Sequence, residues 1–258
     1  MPPADTPHSR RAKRPAPKII IFDVDGVLVD VRESFHRTLI ETVLHFTGKR
    51  VSPAEIHQWK NRSGFNDDWT LSHAWVQSLG FKNSYDEVKS KFVEIYWGAG
   101  GKPGNARRER WLLPEAELRC LAKLAELGLF TGRVRRELDF TLARVRLRDA
   151  FRHIVTVEDV SRPKPDPEGL LAILNGRDPA TAVYLGDNID DARAAQAAGV
   201  PFLGVLPYRS QARAHRAKSL SDLGALSILG SVRQLGPWLR TNTISAQANS
   251  SRISKQRR

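Results

Sequence analysis

"IIIFDVDGVLVD" (residues 19–30) runs four large apolar residues straight into aspartates and a glycine. An unbroken apolar run of this length, rich in β-branched residues, is the pattern of a strand buried on both faces, as in a parallel sheet. Asp23 and Asp25 stand at its exit, and carboxylates are among the side chains least tolerant of burial without a partner. Two residues apart in extended chain, they point to the same side. Gly26 lets the backbone turn sharply directly after them. The strand end therefore reads as a site whose negative charge is offset by groups elsewhere in the chain.

Downstream, the pattern becomes helical. Asp30 with Glu33 reads as a capping box opening "SFHRTLIETVLHF", with Phe35, Leu39, Val43 and Phe46 at helical spacing. Ser52, Pro53 and Glu55 open a second helix, and Asn66 precedes a third that stops at Gly80. Ser84 and Glu87 open a fourth, which ends in the linker-like "GAGGKPG" of residues 98–104. Beyond it, helix and strand patterns alternate: a helix over 114–124, "LGLFTGR", a helix over 134–148, "HIVTV", a helix after Asp166-Pro167, "AVYLG", "DARAAQAAG" and "PFLGVL". That alternation predicts crossover units and a doubly wound parallel α/β sheet. The expected division is a core of residues 18–31 and 105–236, a helical insert of 32–104, and basic, disordered tails of 1–17 and 237–258.

In such sheets ligands sit beyond the C-terminal strand ends, which is where the polar residues gather. Thr131 and Gly132 follow a short apolar run and suit a cradle of hydroxyl and amide N–H groups for an anion. Lys164 stands between Pro163 and Pro165, which predict a stiff, extended presentation of its ammonium. Asp187 lies just past a buried strand, and Asp190 and Asp191 open the next helix. Asp190 is read as the helix cap, leaving Asp187 and Asp191 for the site.

Together, "DVDGVLVD" at 23–30, "TGR" at 131–133, "KPDP" at 164–167 and "GDNIDD" at 186–191 resemble, in order, the four signature motifs of the haloacid dehalogenase superfamily of phosphatases. The insert resembles the helical cap of that family's phosphoglycolate phosphatase and β-phosphoglucomutase-like branch. The resemblance implies a Rossmann-like core and a Mg2+-dependent phosphatase acting on a small phosphorylated metabolite. It implies Asp23 as nucleophile, Asp25 as general acid and base, and Thr131, Gly132 and Lys164 as phosphoryl-binding groups. Asp23, the backbone carbonyl of Asp25 and Asp187 would hold Mg2+, and Asp191 would orient Lys164 or a metal-bound water. The chemistry is consistent: an aspartate with an ordinary pKa of about 3.9 is ionised at neutral pH and needs no base to attack phosphorus. Hard oxygen donors suit Mg2+, and the histidines show no zinc-like pairing. In this family the second acid, Asp25, marks phosphate-ester chemistry rather than dehalogenation.

The resemblance also departs from the family pattern at "TGR", where a Thr/Ser-Asn pair is usual. Arg133 there either adds a charge near the substrate or caps the next helix. The segment "WKNRSGFNDDW" (59–69) is polar and basic between two helices, so Lys60, Arg62 and Asn66 are candidates for substrate selection. With "TGR" it resembles a branch linked to histidine biosynthesis proteins, pointing to a histidinol-phosphate-like substrate. A phosphomutase using the same aspartyl-phosphate is the alternative reading.

Composition limits the remaining options. The 258-residue chain carries a net charge of +13, but residues 1–18 and 241–258 hold +4 each. The basic excess thus marks solvated tails rather than a nucleic-acid interface, and a noncatalytic nucleic-acid-binding role is the remote alternative. No apolar run approaches the roughly 18 residues of a membrane span. A single cysteine, Cys120, read as a small core filler, fits a reducing, cytoplasmic setting. Oligomeric state is not legible.

Overall fold

The computed structural model describes residues 13–60, 67–207 and 213–244. Among the described residues, six parallel strands form the central sheet: β1 (Ile19–Phe22), β2 (Glu126–Phe130), β3 (His153–Val155), β4 (Ala182–Gly186), β5 (Phe202–Val205) and β6 (Ile228–Leu229), in spatial order β3-β2-β1-β4-β5-β6. The opening stretch is the central strand, with Phe22 in register with Leu129 on one side and Leu185 on the other. All four of its residues are inaccessible, and alternate ones enter opposite faces. Ile20 and Phe22 join one core cluster, and Ile19 and Ile21 join the other with Phe130, Leu170 and Tyr184. Because β2 lies to one side of β1 and β4 to the other, the chain reverses its direction of travel at β1. That switch point leaves a crevice at the C-terminal ends of these three strands.

Among the described residues between β1 and β2 lie helices α1 (Arg37–Thr47), α2 (Pro53–Lys60), α3 (Asp68–Ser78) and α4 (Tyr85–Trp97), with α1, α3 and α4 packed on one another. Ser84 and Glu87 form the expected capping box of α4, and Ser52 with Glu55 does the same for α2. The cap of α3 is Asp67, whose carboxylate accepts from the amides of Trp69 and Thr70. Trp75 is buried and stacks on Trp59 at 5.7 Å.

Asp30 forms no capping box with Glu33 and is not at the N-cap position of a helix, although its carboxylate accepts from the Arg32 amide at 3.2 Å. It lies in a two-residue strand, Val29–Asp30, antiparallel to Arg110–Trp111, and its carboxylate takes hydrogen bonds from Arg32 and Arg110. The turn that follows, Arg32–His36, is a π-helix without a side-chain cap, and Glu33 pairs with Arg37 instead.

The core helices are α5 (Glu115–Leu124), α6 (Arg135–Val145), α7 (Glu168–Leu174), α8 (Ile189–Ala198), α9 (Arg213–Asp222) and α10 (Leu235–Asn242). The tail expected from residue 237 does not hold through residue 244. Leu239 is buried on α10, and Thr243–Ile244 pairs in parallel with Arg14–Pro15, inside the region read as an N-terminal tail. Cys120 is exposed on α5, because Leu118 and Leu121 take that helix's buried stripe. Among the described residues, no helix is long and apolar enough to cross a membrane.

Candidate active site

Asp23 is the first residue past β1, and its amide donates to the Leu185 carbonyl of β4 at 2.8 Å. The Lys164 ammonium donates to Asp23 Oδ1 and to Asp191 Oδ1, each at 2.7 Å, and all three side chains are nearly inaccessible. The loop carrying Lys164 is a turn rather than the extended run its prolines suggest, closed by the Asp166 amide on the Pro163 carbonyl at 3.0 Å. The ammonium also lies 4.7 Å from the centre of the Phe130 ring, a favourable face for a cation.

Asp191 is engaged on both oxygens. Oδ1 accepts from Lys164 and from the Tyr184 hydroxyl at 2.6 Å, and Oδ2 accepts from the amides of Asp187 and Asn188. The last contact belongs to a capping box in which Asn188, not Asp190, caps α8. Asp191 thus serves the helix start and the lysine at once. Asp187 sits beside it, with the Arg216 guanidinium of α9 donating to its carbonyl at 2.8 Å and to Oδ2 at 3.0 Å. Packing is so close here that glycine stands both at Gly26, facing the loop 186–188, and at Gly186, within it. A Cβ at Gly26 (φ +77°) would lie 2.4 Å from Asp187 Oδ2, and one at Gly186 would lie 2.4 Å from Asp191 Cβ.

Negative charge is in excess here. Burial pushes the Asp23 carboxyl well above the usual range; Lys164 opposes that, and Asp191, Asp25 and Asp187 add to it. Burial would lower the Lys164 pKa, yet Asp191 and Asp23 hold it above its ordinary value, so the ammonium stays charged. Carboxylate oxygens of Asp23, Asp187 and Asp191 lie within 4.8 Å of one another. An all-oxygen, charge-rich cluster of this kind fits a hard divalent cation.

Thr131 and Gly132 occupy the adjoining end of β2. The Thr131 amide donates to the Val155 carbonyl at 3.0 Å, and its hydroxyl accepts from the Arg133 amide at 3.2 Å. A cavity of about 430 Å3 opens at this end of the sheet; Asp23, Asp25, Gly132 and Asp187 line it from the strand ends, and Phe35, His36, Trp69 and Tyr85 from the segment between β1 and β2, while Thr131 and Lys164 are not part of its lining. Lys60 is the last residue of α2, and Arg62 and Asn66 lie outside the described residues.

Arg133 neither caps α6 nor faces the cavity with a free charge. The cap position of α6 is Val134. The guanidinium is 1% exposed and donates from Nε and Nη2 to Asp25 Oδ1 at 2.8 and 2.6 Å. Its other edge meets Glu109, with Nη2 2.9 Å from Oε1 and Nη1 3.2 Å from Oε2. Glu109 in turn accepts from the Tyr96 hydroxyl at 2.9 Å and the Thr141 hydroxyl at 2.6 Å. Glu109, Tyr96, Thr141, Tyr184 and Arg216 were not singled out by sequence. Only Tyr184 carries a local signal, a polar tip in a fully buried strand, which must find a partner.

Burial also pushes the neighbouring Glu137 carboxyl up to about 8, with the Arg133 charge opposing the shift. A carboxyl raised in the fold favours folding at low pH, and that contribution is lost as pH rises from 4.5 through about 8. Glu137→Gln is therefore expected to gain stability relative to wild type at pH 8.5 but not at pH 5. The difference should be of the order of a few kcal/mol, read from melting temperatures at both pH values.

Residues 17–199 match the family model described as haloacid dehalogenase-like hydrolase. The chain is 29% identical over 265 residues to an imidazoleglycerol-phosphate dehydratase of Phytophthora nicotianae, an alignment covering 92% of this chain and 58% of that relative's length. It is 27% identical over 231 residues to a phosphoglycolate phosphatase of Pseudomonas putida, covering 81% of this chain and 78% of the relative. Among solved structures, a haloacid dehalogenase-like protein from Agrobacterium tumefaciens superposes with a TM-score of 0.66 at 22% identity, over 87% of this chain and 98% of that one.

Proposed function

The chain belongs to the haloacid dehalogenase-like hydrolase family, and from that premise we propose that it is a Mg2+-dependent phosphatase hydrolysing a small phosphorylated metabolite through an aspartyl-phosphate on Asp23. The observation that carries the reading is Lys164, held 2.7 Å from both Asp23 and Asp191 at the sheet's switch point. An ammonium fixed beside a buried carboxylate can neutralise the oxygens of a phosphoryl group that the carboxylate attacks, and phosphoryl transfer depends mostly on such positioning and neutralisation.

In this reading the Asp23 carboxylate attacks the ester phosphorus, and Asp25 gives a proton to the departing alcohol oxygen. Asp25 then takes a proton from the water that cleaves the aspartyl-phosphate. The Thr131 hydroxyl, the Gly132 amide and Lys164 bind the phosphoryl oxygens. Asp191 keeps Lys164 in place, since both its oxygens are already engaged. Asp23 and Asp187, with the Asp25 carbonyl, would hold Mg2+, which supplies the positive charge this acid cluster lacks. Residues 32–104 act as a lid, excluding water and selecting the leaving group. The segment 59–69, where Lys60, Arg62 and Asn66 fall, and the relative named for imidazoleglycerol phosphate favour an imidazole-bearing alcohol phosphate such as histidinol phosphate.

A phosphate-release screen over phosphorylated metabolites, histidinol phosphate and phosphoglycolate included, tests the reading. Release is expected from one or a few esters, to fall by roughly 100-fold or more with EDTA, and to return with excess Mg2+. No release from any ester would overturn it, and isomerisation without free phosphate would replace it with a phosphomutase.

A further inference from the structure

We propose that Arg133 is the positioning residue for Asp25, anchored by Glu109 and braced from both chain connections between the helical insert and the core. The proposal rests on the phosphatase reading above, in which Asp25 transfers the proton. Both guanidinium contacts fall on a single oxygen of that carboxylate, Oδ1, at 2.8 and 2.6 Å. Oδ2 takes no hydrogen bond among the described residues, and the Asp25 side chain is 32% exposed beside the cavity it lines. The carboxylate is thus pinned by one oxygen and presents the other to a leaving group.

A single Arg–carboxylate contact would leave the long arginine side chain free to swing. Here the planar fork is held on its second edge by Glu109, whose oxygens also accept from Tyr96 and Thr141. The Phe35 ring lies 5.0 Å from the guanidinium carbon and stacks on Tyr96 at 4.5 Å. Phe35 lies in the segment entering the insert, Tyr96 in the last turn of α4, and Glu109 in the segment returning to the core. One core-borne arginine therefore reads the seating of both connections and passes it to the acid. A shift of either connection would release Asp25 from its position.

The test compares kcat/KM, which reports steps up to alcohol departure, for two esters. An alkyl phosphate needs its leaving oxygen protonated, whereas p-nitrophenyl phosphate releases a stable anion that does not. Arg133→Met is expected to lower kcat/KM for the alkyl ester by roughly 100-fold and for the aryl ester by less than about 5-fold, mostly in kcat. Glu109→Gln should show the same selectivity at about 10-fold. Arg133→Lys keeps the charge but not the paired contact, and should recover part of the alkyl activity. If Arg133→Met does not fold, Arg133→Lys carries the test, with about 10-fold selective loss expected. Asp25→Asn sets the standard of a selective loss. Equal losses for both esters in the Arg133 variants, with Asp25→Asn selective, would overturn this inference alone. A wild type inert toward every ester would overturn the phosphatase reading and this inference with it. An Asp25→Asn variant without selectivity, in an active enzyme, would remove Asp25 as the proton donor and so this inference, leaving the phosphatase reading standing.

Discussion

Asp23→Asn should abolish phosphate release, by roughly four orders of magnitude or more, while leaving the protein folded and no less stable. An amide cannot attack phosphorus to give an acyl phosphate, so the loss should appear in kcat for every ester, whatever its leaving group. The stability half follows from the fold. Burial already pushes the Asp23 carboxyl upward, with Lys164 opposing and Asp191, Asp25 and Asp187 adding to the shift. An uncharged isostere removes that burial cost, and its carbonyl can still accept from Lys164. In EDTA the variant should therefore melt at or above the wild-type temperature, a gain of about 1 kcal/mol in unfolding free energy. Residual turnover above a few per cent would remove Asp23 as the nucleophile. A lowered melting temperature in EDTA would mean that the ionised carboxylate stabilises the fold.

What sequence revealed about this site depended on whether the signal was local. Four consecutive apolar residues before Asp23 sufficed to place the central strand, because a strand buried on both faces leaves no other pattern. The cap of α4 was equally legible, since Ser84 and Glu87 satisfy each other within one turn. Asp190 and Asp191 show where local reading stops. Either acid could cap α8 by position, but Asn188 takes the cap, and Asp191 is drawn into the site by Lys164 and Tyr184. Arg133 is the stronger case. Its partners lie 108 residues upstream at Asp25 and 24 residues upstream at Glu109, and no spacing rule links them. Asp30 follows the same rule in part: Arg32, two residues on, holds its carboxylate locally, but the contact from Arg110 crosses a strand pairing that its own neighbours do not announce. The helix over 235–242 carries only two buried residues, Leu235 and Leu239, too sparse a stripe to stand out from a polar tail.

Lys164→Met tests the other half of the charge arrangement, and its expected effect on stability is the larger. Removing the ammonium strips the shared cation from Asp23 and Asp191, whose side chains are 9% and 1% exposed. Breaking a buried pair by deleting one partner costs about 3–5 kcal/mol, because the remaining charge is left uncompensated. The variant should melt far below wild type in EDTA at pH 8, and turnover with Mg2+ should fall by about 100- to 1,000-fold as the phosphoryl oxygens lose a fixed donor. The pH dependence separates this cause from simple loss of packing. Asp23 is already pushed upward by burial, and without Lys164 opposing that shift its carboxyl takes a proton more readily as pH falls. The deficit of the variant should therefore shrink steadily between pH 8 and pH 5, since a neutral carboxyl no longer needs the missing cation. A deficit independent of pH would mean that Lys164 acts through its packing on Phe130 rather than through its charge. Lys164→Arg, which keeps the charge on a larger, planar group, should restore most of the stability but little of the turnover. The carboxylates need a cation nearby, whereas the phosphoryl group needs its donor at one particular position.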